Sequence, residues 1–467
     1  MILALAATLA IVVQDHTSLR AAPQSSATEL TALWQGDLLE VRDERAQYLK
    51  VYDYRRERGG YVRSEAVRLV GLTESDAPEL LAVLRFLRES PGSEALGISY
   101  GAAYLKAVPT RALTAEPFDA IARMAERLAD EASGGAYRLA DTAAHLEVVG
   151  QFGIRMRSFE RNGRMVVCYD GELYRRVLAM AGANPEERAH AALGLTRPDC
   201  IDPNSGPAVR ASLDVDRSGL LDGIEERKLS AMTRSRLHAR RAGVWATIAF
   251  ERARHSEPPG AAAQRALAEL LAVHANDLGD DRRGEYVDAV LRVSAIRWAA
   301  VTPATQAGPL ILSAAAGDPG QTCVSLEDAH RGRAAPLVRR CTYGIVWMAS
   351  VQPIQQGPAL VLSVQPLESW RELWLFHERA GIWTVDVLSA GADDPEEGYI
   401  EFAGFAPGTR RLLTVREVRE RGRFHRRFEE LRLDDLALVR QASTPELLRD
   451  FGRWQDVGWR RDTLALH

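Results

Sequence analysis

Asp214, Asp216, Ser218, Leu220, Asp222 and Glu225 stand at the spacing of a twelve-position calcium loop, with Gly219 at the sixth place and apolar Leu221 at the eighth. Calcium takes six to eight oxygens in a flexible geometry. Such a loop offers side-chain oxygens at positions one, three, five and nine, the backbone carbonyl at seven, which is Leu220 here, and a bidentate glutamate at twelve. Calcium held by these six residues is one expectation. The other is a helix-start segment whose aspartates only cap and solvate: the stretch from Pro207 to Leu213 makes a short entering helix, Arg217 adds positive charge, and the sequence has no second loop to pair with the first.

Nucleophile chemistry has one formal match, Gly97-Ile98-Ser99-Tyr100-Gly101, which satisfies GxSxG. That motif needs a strand before the serine and a helix after it. Ser93 to Leu96 read as helix instead, there is no HGGG loop, and His145, the nearest downstream histidine, has no acidic partner placed before it, so Gly97, Ser99 and Gly101 are expected as small residues at a helix crossing. HExxH is absent, and His190, His238, His255, His274, His377 and His425 stand apart without metal-ligand spacing. Each is expected on a helix or sheet surface. P-loop and Rossmann glycine patterns are missing as well.

The four cysteines form no CxxC and fall as two local pairs, Cys168 with Cys200 and Cys323 with Cys341, among three ways of joining them. In an oxidising compartment each pair is expected as a disulfide; four reduced core thiols are the alternative. Met1 to Val13 is too short for a membrane span. Residues 1–7, with Ala4-Leu5-Ala6 as a small-residue cleavage site, read as the remnant of a secretory leader. A periplasmic or secreted protein is therefore expected.

Charge removes some partners. The 59 basic and 63 acidic residues leave a net charge of −4, so the chain has no global positive field for nucleic acid. Lys50, Lys106 and Lys228 are the only lysines. The Arg-rich stretches Arg234–Arg241 and Arg416–Arg427 are interleaved with Leu, His, Phe and Glu and are expected as solvated faces.

The elements that must position these groups come in three blocks along 467 residues: a β-rich block at 1–72, a helical block at 73–300 and an antiparallel β block at 301–467, giving a multidomain α+β fold. In the first block Leu9–Val13, Leu38–Val41, Tyr48–Val51 and Gly60–Val62 are short β-rich runs divided by turns. Leu19-Arg20-Ala21-Ala22-Pro23, Gln35-Gly36-Asp37, Tyr48-Leu49-Lys50-Val51 and Gly60-Tyr61-Val62 follow the order of a bacterial SH3 domain, which this block resembles. The resemblance implies a small SH3-like β-barrel with Tyr61 roofing its core.

In the helical block Asp76 and Pro78 open a helix carrying Leu80, Leu84 and Leu87, and Phe118, Ile121, Ala125 and Leu128 repeat that spacing. Asn184-Pro185-Glu186-Glu187 is a capped helix start. Met165 to Cys168 is the exception and reads as extended. In the last block, strands are expected at Tyr343–Val351, Ala359–Val364, Leu373–Phe376, Ile382–Leu388, Tyr399–Phe405 and Leu412–Val418. Pro366 and Pro407 mark equivalent points of two similar hairpins, a spacing that resembles roughly 40-residue β-propeller blades. An open antiparallel sheet fits equally.

These readings point to a non-enzymatic bacterial envelope protein whose SH3-like domain binds cell wall or an envelope protein. Trp34, Tyr48, Tyr52, Tyr54 and Tyr61 are the candidate groove residues, with the barrel's own core the alternative for Tyr48 and Tyr61. An envelope hydrolase, or its regulator, with a site in the helical block is the second expectation; convergent His, Asp, Glu or Ser side chains there would mark it.

Overall fold

Inward and outward residues alternate from the first strand onward, and that alternation builds two different cores. The computed structural model describes residues 8–134, 139–161, 163–279, 283–306, 308–330, 335–354, 359–391, 397–420, 423–457 and 459. The expected leader remnant at 1–7 lies outside the described residues. The fold is mixed α and β, with an N-terminal antiparallel sheet, a central helical region and a C-terminal sheet. It divides into two compact units, Met1–Arg210 with Gly223–Thr233, and Ala211–Asp222 with Arg234–His467.

In the first unit, β1 (Thr8–Val12), β2 (Thr17–Arg20), β3 (Glu29–Leu33), β4 (Leu38–Arg45), β5 (Tyr48–Asp53), β6 (Arg58–Arg63) and β7 (Val67–Val70) pair in the order β3-β2-β6-β5-β4-β1-β7. Ala10 and Val12 of β1 face a core with Leu19, Leu39, Val51 and Val62. Ile11 faces the other way, into a core with Leu80, Leu87 and Tyr104 of the adjoining helices. Both faces of β1 are covered, so its sequence is a continuous apolar run instead of an alternating one. Gly36 turns the chain into β4 with φ of 90°, and a Cβ there would stand 2.5 Å from the carbonyl oxygen of Ala95, so glycine answers both demands.

The sheet is followed in this unit by α1 (Ala77–Arg88), α2 (Glu94–Ala107), α3 (Glu116–Ser133), α4 (Leu139–Gly150), the hairpin β8 (Met156–Arg161) and β9 (Arg164–Tyr169), and α5 (Glu172–Ala179). α6 (Pro185–Leu195) then starts with the expected cap: Asn184 Oδ1 accepts from the Glu187 amide at 3.0 Å, and Glu187 Oε2 accepts from the Asn184 amide at 2.8 Å. Leu80, Leu84 and Leu87 of α1, and Phe118, Ile121, Ala125 and Leu128 of α3, are buried as their period requires. A disulfide joins Cys168 at the end of β9 to Cys200.

The second unit holds most of α7 (Pro207–Asp222) and α8 (Ala231–Arg254), then α9 (Gly260–Leu271) and α10 (Arg283–Ile296). A three-stranded sheet follows, β10 (Leu310–Ala316), β11 (Thr322–Asp328) and β12 (Val338–Thr342), and Cys323 is bonded to its register partner Cys341 across β11 and β12. The larger sheet comprises β13 (Ile345–Pro353), β14 (Ala359–Leu367), β15 (Trp370–Arg379), β16 (Ile382–Leu388), β17 (Gly398–Ala406), β18 (Arg411–Glu420), β19 (Arg423–Arg432) and β20 (Leu438–Ala442), followed by α11 (Arg449–Trp454). Its order is β13-β14-β15-β17-β18-β19-β20, with β16 also on β15.

The two similar hairpins are β14–β15 and β17–β18, and they are neighbours in this one sheet because Trp370 and Arg371 pair in parallel with Gly398 and Tyr399. Propeller blades would hold them in separate sheets. The Arg-rich stretches also depart from expectation: Arg240 and Arg241 are buried, and Arg416 bonds to Glu429 and to the carbonyls of Ser389 and Ala390. Packed acceptors, not solvent, take up these guanidiniums.

Candidate functional site

The outer face of β4 and β5 carries the exposed aromatic group. Val51 and Leu49 point into the core, so Lys50 and Tyr52 point out, and Tyr54 follows in the turn. The rings of Tyr52 and Tyr54 meet edge-on with centroids 4.9 Å apart, and the Arg42 guanidinium lies 4.4 Å from the centre of the Tyr52 ring. Tyr54 Oη donates to Glu40 Oε2 at 2.6 Å, and Arg42 donates to the same oxygen at 3.1 Å. Those two bonds draw the Glu40 carboxyl below its ordinary value. Tyr54 is 63% exposed. The arrangement is a two-ring platform with a cation across one ring, suited to stacking a flat or ring-shaped ligand.

The other groove candidates lie elsewhere. Tyr48 is buried. Tyr61 is half-buried, and its neighbour Val62 fills the core position of the sheet in place of Tyr61. Trp34 packs against the helices, with the His16 ring 4.3 Å away and the His145 ring of α4 edge-on at 6.1 Å. His145 Nε2 is 2.8 Å from Asp15 Oδ1, and Asp15 also accepts from the Gln35 amide and side chain. Burial alone would raise Asp15; the bonds from His145 and Gln35 bring its carboxyl below the ordinary value instead. Trp34 thus clasps the sheet to α4 and is not part of the Tyr52–Tyr54 platform.

The residues of the expected calcium loop are helical through Asp222, because α7 runs on past Leu213. Asp214, Arg217, Ser218 and Leu221 make its buried face, while Asp216, Leu220, Asp222 and Glu225 are exposed. Helical spacing therefore parts Asp214 from Asp216, which a loop would bring onto one ion. Asp214 Oδ1 accepts instead from Arg217 Nη1 at 2.7 Å. Among the described residues no three His, Cys, Asp or Glu are grouped to hold a metal ion.

Gly97 and Gly101 lie at the crossing of α2 and α3: an added Cβ would stand 2.3 Å from Met124 Sδ and 2.6 Å from Ile121 Cγ1, respectively. Ser99 between them is buried within α2, not at a strand-to-helix elbow. The histidines correct a further expectation. His190 faces Asp119 at 3.4 Å, His238 Glu269 at 2.6 Å, and buried His377 Asp386 at 2.6 Å, so these three are not plain surface residues. Each meets a carboxylate from a distant part of the sequence or the next strand, and single-residue spacing carries no trace of that.

A cluster of charged side chains in the second unit, marked by no spacing in the sequence, gathers residues of α7, α8 and α10 with others at the ends of β15, β17 and β18. Arg240 pairs with Glu285 at 2.6 Å and Arg419 with Glu397 at 2.7 Å; Arg292 bonds to Glu368, which also takes the Thr247 hydroxyl. Asp288, one helical turn from Arg292, has neither a hydrogen bond nor an ion pair. Burial, with Glu397 and Glu285 nearby, pushes its carboxyl up to about 6 against the opposing pull of Arg292 and Arg419. Burial likewise raises Glu251, on the same side of α8 as Thr247. Perturbed carboxyls among fixed cations are a recurring mark of functional sites.

No known family, curated protein or solved structure matches the chain.

Proposed function

We propose that this chain is a binding protein of the bacterial cell envelope that docks peptidoglycan on the outer face of an SH3-like N-terminal barrel. The observation that carries the reading is the Tyr52–Tyr54 pair with Arg42 across the Tyr52 ring, in which Tyr54 is exposed and held by Glu40 and Tyr52 is half-buried. Its rings offer large contact area at low entropic cost, because each has two side-chain torsions to immobilise. The order of strands and turns in the first block supports the SH3-like reading. Two disulfides support an oxidising compartment, the periplasm or the cell exterior. Among the described residues no helix is long and apolar enough to cross a membrane.

Retention on purified sacculi tests the reading. The whole protein is compared with the double variant Tyr52→Ala, Tyr54→Ala, which leaves the buried faces of β4 and β5 intact. The expected result is co-sedimentation of the parent and loss of most of it in the variant. Equal retention would remove the platform's role, and release of soluble fragments from the sacculi would replace the binding reading with a hydrolase.

A further inference from the structure

The two disulfides differ in how their cysteines are set. Cys168, which is fully buried, and Cys200 stand with Cα atoms 5.7 Å apart, the ordinary spacing of bonded cysteines. Cys323 and Cys341 instead face each other as register partners on the antiparallel strands β11 and β12, with Cα atoms 3.9 Å apart. Opposed residues of an antiparallel pair lie about 4.5 to 5.5 Å apart, so this row of the sheet is drawn closer than its ladder alone would hold it. Opening the bond lets the row return to ladder spacing.

The row is also within reach of solvent. β12 ends the three-stranded sheet and pairs on one side only. Val338 packs on the core and Arg340 lies across the buried Trp374 ring, so Arg339 and Cys341 share the opposite face of the strand. Cys341 is half-buried there, whereas Cys323 is buried: a Cβ added at Gly317 would stand 2.7 Å from Cys323 Sγ, which places the turn between β10 and β11 over that sulfur. Arg339 is exposed and pairs with no carboxylate among the described residues, while Asp318 belongs to the covering turn. The species that attacks a disulfide is a thiolate, an anion, and these charges draw it to Cys341 and away from Cys323.

We propose that Cys323–Cys341 is a site of thiol–disulfide exchange, opened at the Cys341 sulfur by an external thiol. The thiolate bonds to Cys341 Sγ, the Sγ–Sγ bond breaks, and Cys323 leaves as a thiolate that takes up the proton the attacker released. A second thiol displaces the first, leaving two cysteine thiols and an oxidised small disulfide; the protein gains the two electrons that the external thiols lose. β12 is then no longer tied covalently to β11, so the bond sets how firmly this edge strand is held.

Treatment of the whole folded protein with β-mercaptoethanol, followed by alkylation and mass spectrometry of each cysteine, tests this. Cys323–Cys341 is expected to open about tenfold faster than Cys168–Cys200, with the first adduct on Cys341. Arg339→Glu should slow that opening about fivefold and leave Cys168–Cys200 unchanged, since it reverses a charge beside the attacked sulfur. Equal rates for the two disulfides, or a first adduct on Cys323, would overturn the proposal, as would an Arg339→Glu rate equal to the parent's.

Discussion

On the N-terminal sheet the arginines stay at or near the surface: Arg42 and Glu40 brace half-buried Tyr52 and exposed Tyr54, and the buried carboxylates of Asp37 and Asp53 pair with part-exposed Arg55 and Arg56. In the second unit the same chemistry is turned inward. Arg371 of β15 is fully buried and bonds to Glu401 of β17, and its guanidinium also donates to the carbonyl of Ser294 near the end of α10 at 2.5 Å. Arg297 Nε approaches Glu401 at 3.0 Å, and Trp459 Nε1 donates to it at 3.2 Å. Burial would raise Glu401; Arg297 and Arg371 overcome that and bring it down to about 2. The contrast teaches where charge governs stability. An exposed ion pair contributes on the order of 1 kcal/mol or less, while breaking a buried one leaves an uncompensated ion in the core.

The largest effect should come from breaking that buried pair. Arg371→Met is expected to cost about 3 to 5 kcal/mol in the unfolding transition of the second unit, measured by urea titration. Replacing the whole buried triad, Arg371→Met with Arg297→Met and Glu401→Leu, should recover much of the loss, and a triple variant no better than the single one would show that packing, not charge, is at stake. Removing the Cys168–Cys200 disulfide by double alanine substitution should cost about 2 to 4 kcal/mol in the first unit and leave the second unchanged. A loss shared by both transitions would blur the division between units.

Asp288→Asn should have the opposite sign. A carboxyl raised to about 6 in the folded state holds its proton more tightly than in the unfolded chain, so folding is unpenalised below about pH 4 and loses stability as pH rises to about 6. The variant is therefore expected to be more stable than the parent by about 1 to 3 kcal/mol at pH 8, and equal to it at pH 4. A gain that persists at pH 4 would remove ionisation as its cause. Smallest of all, Tyr54→Ala should shift stability by no more than about 0.5 kcal/mol while weakening retention on sacculi. A large loss of stability would mean that the platform is part of the fold and not a docking face.

Much of the secondary structure was legible because its causes are local. The cap at Asn184, the apolar stripes of α1 and α3, the extended run at Met165 to Cys168 and the strands from Ala359 to Val418 all follow from period and turn chemistry. Both cysteine pairs are as expected, Cys323 with Cys341 across adjacent strands, whereas the packing of α5 and α6 brings Cys200 back to Cys168. The calcium pattern was misleading for an equally physical reason. Asp214, Arg217, Ser218 and Leu221 recur at helical spacing on one buried side, and the ion pair of Asp214 with Arg217 three residues on belongs to a helix and not to a loop.

The charged cluster was invisible for another reason. Asp288 of α10, Glu368 between β14 and β15, Glu397 just before β17 and Arg419 of β18 stand on four separate segments, and no spacing rule links them; the packing of α10 on the ends of the sheet does. Sequence alone settled what local interactions decide: which segments are helix or strand, and where several of them begin. The tertiary structure decided which of the many arginines and carboxylates lie inside and what each meets there, because burial and pairing of charge depend on surfaces brought together from distant parts of the chain.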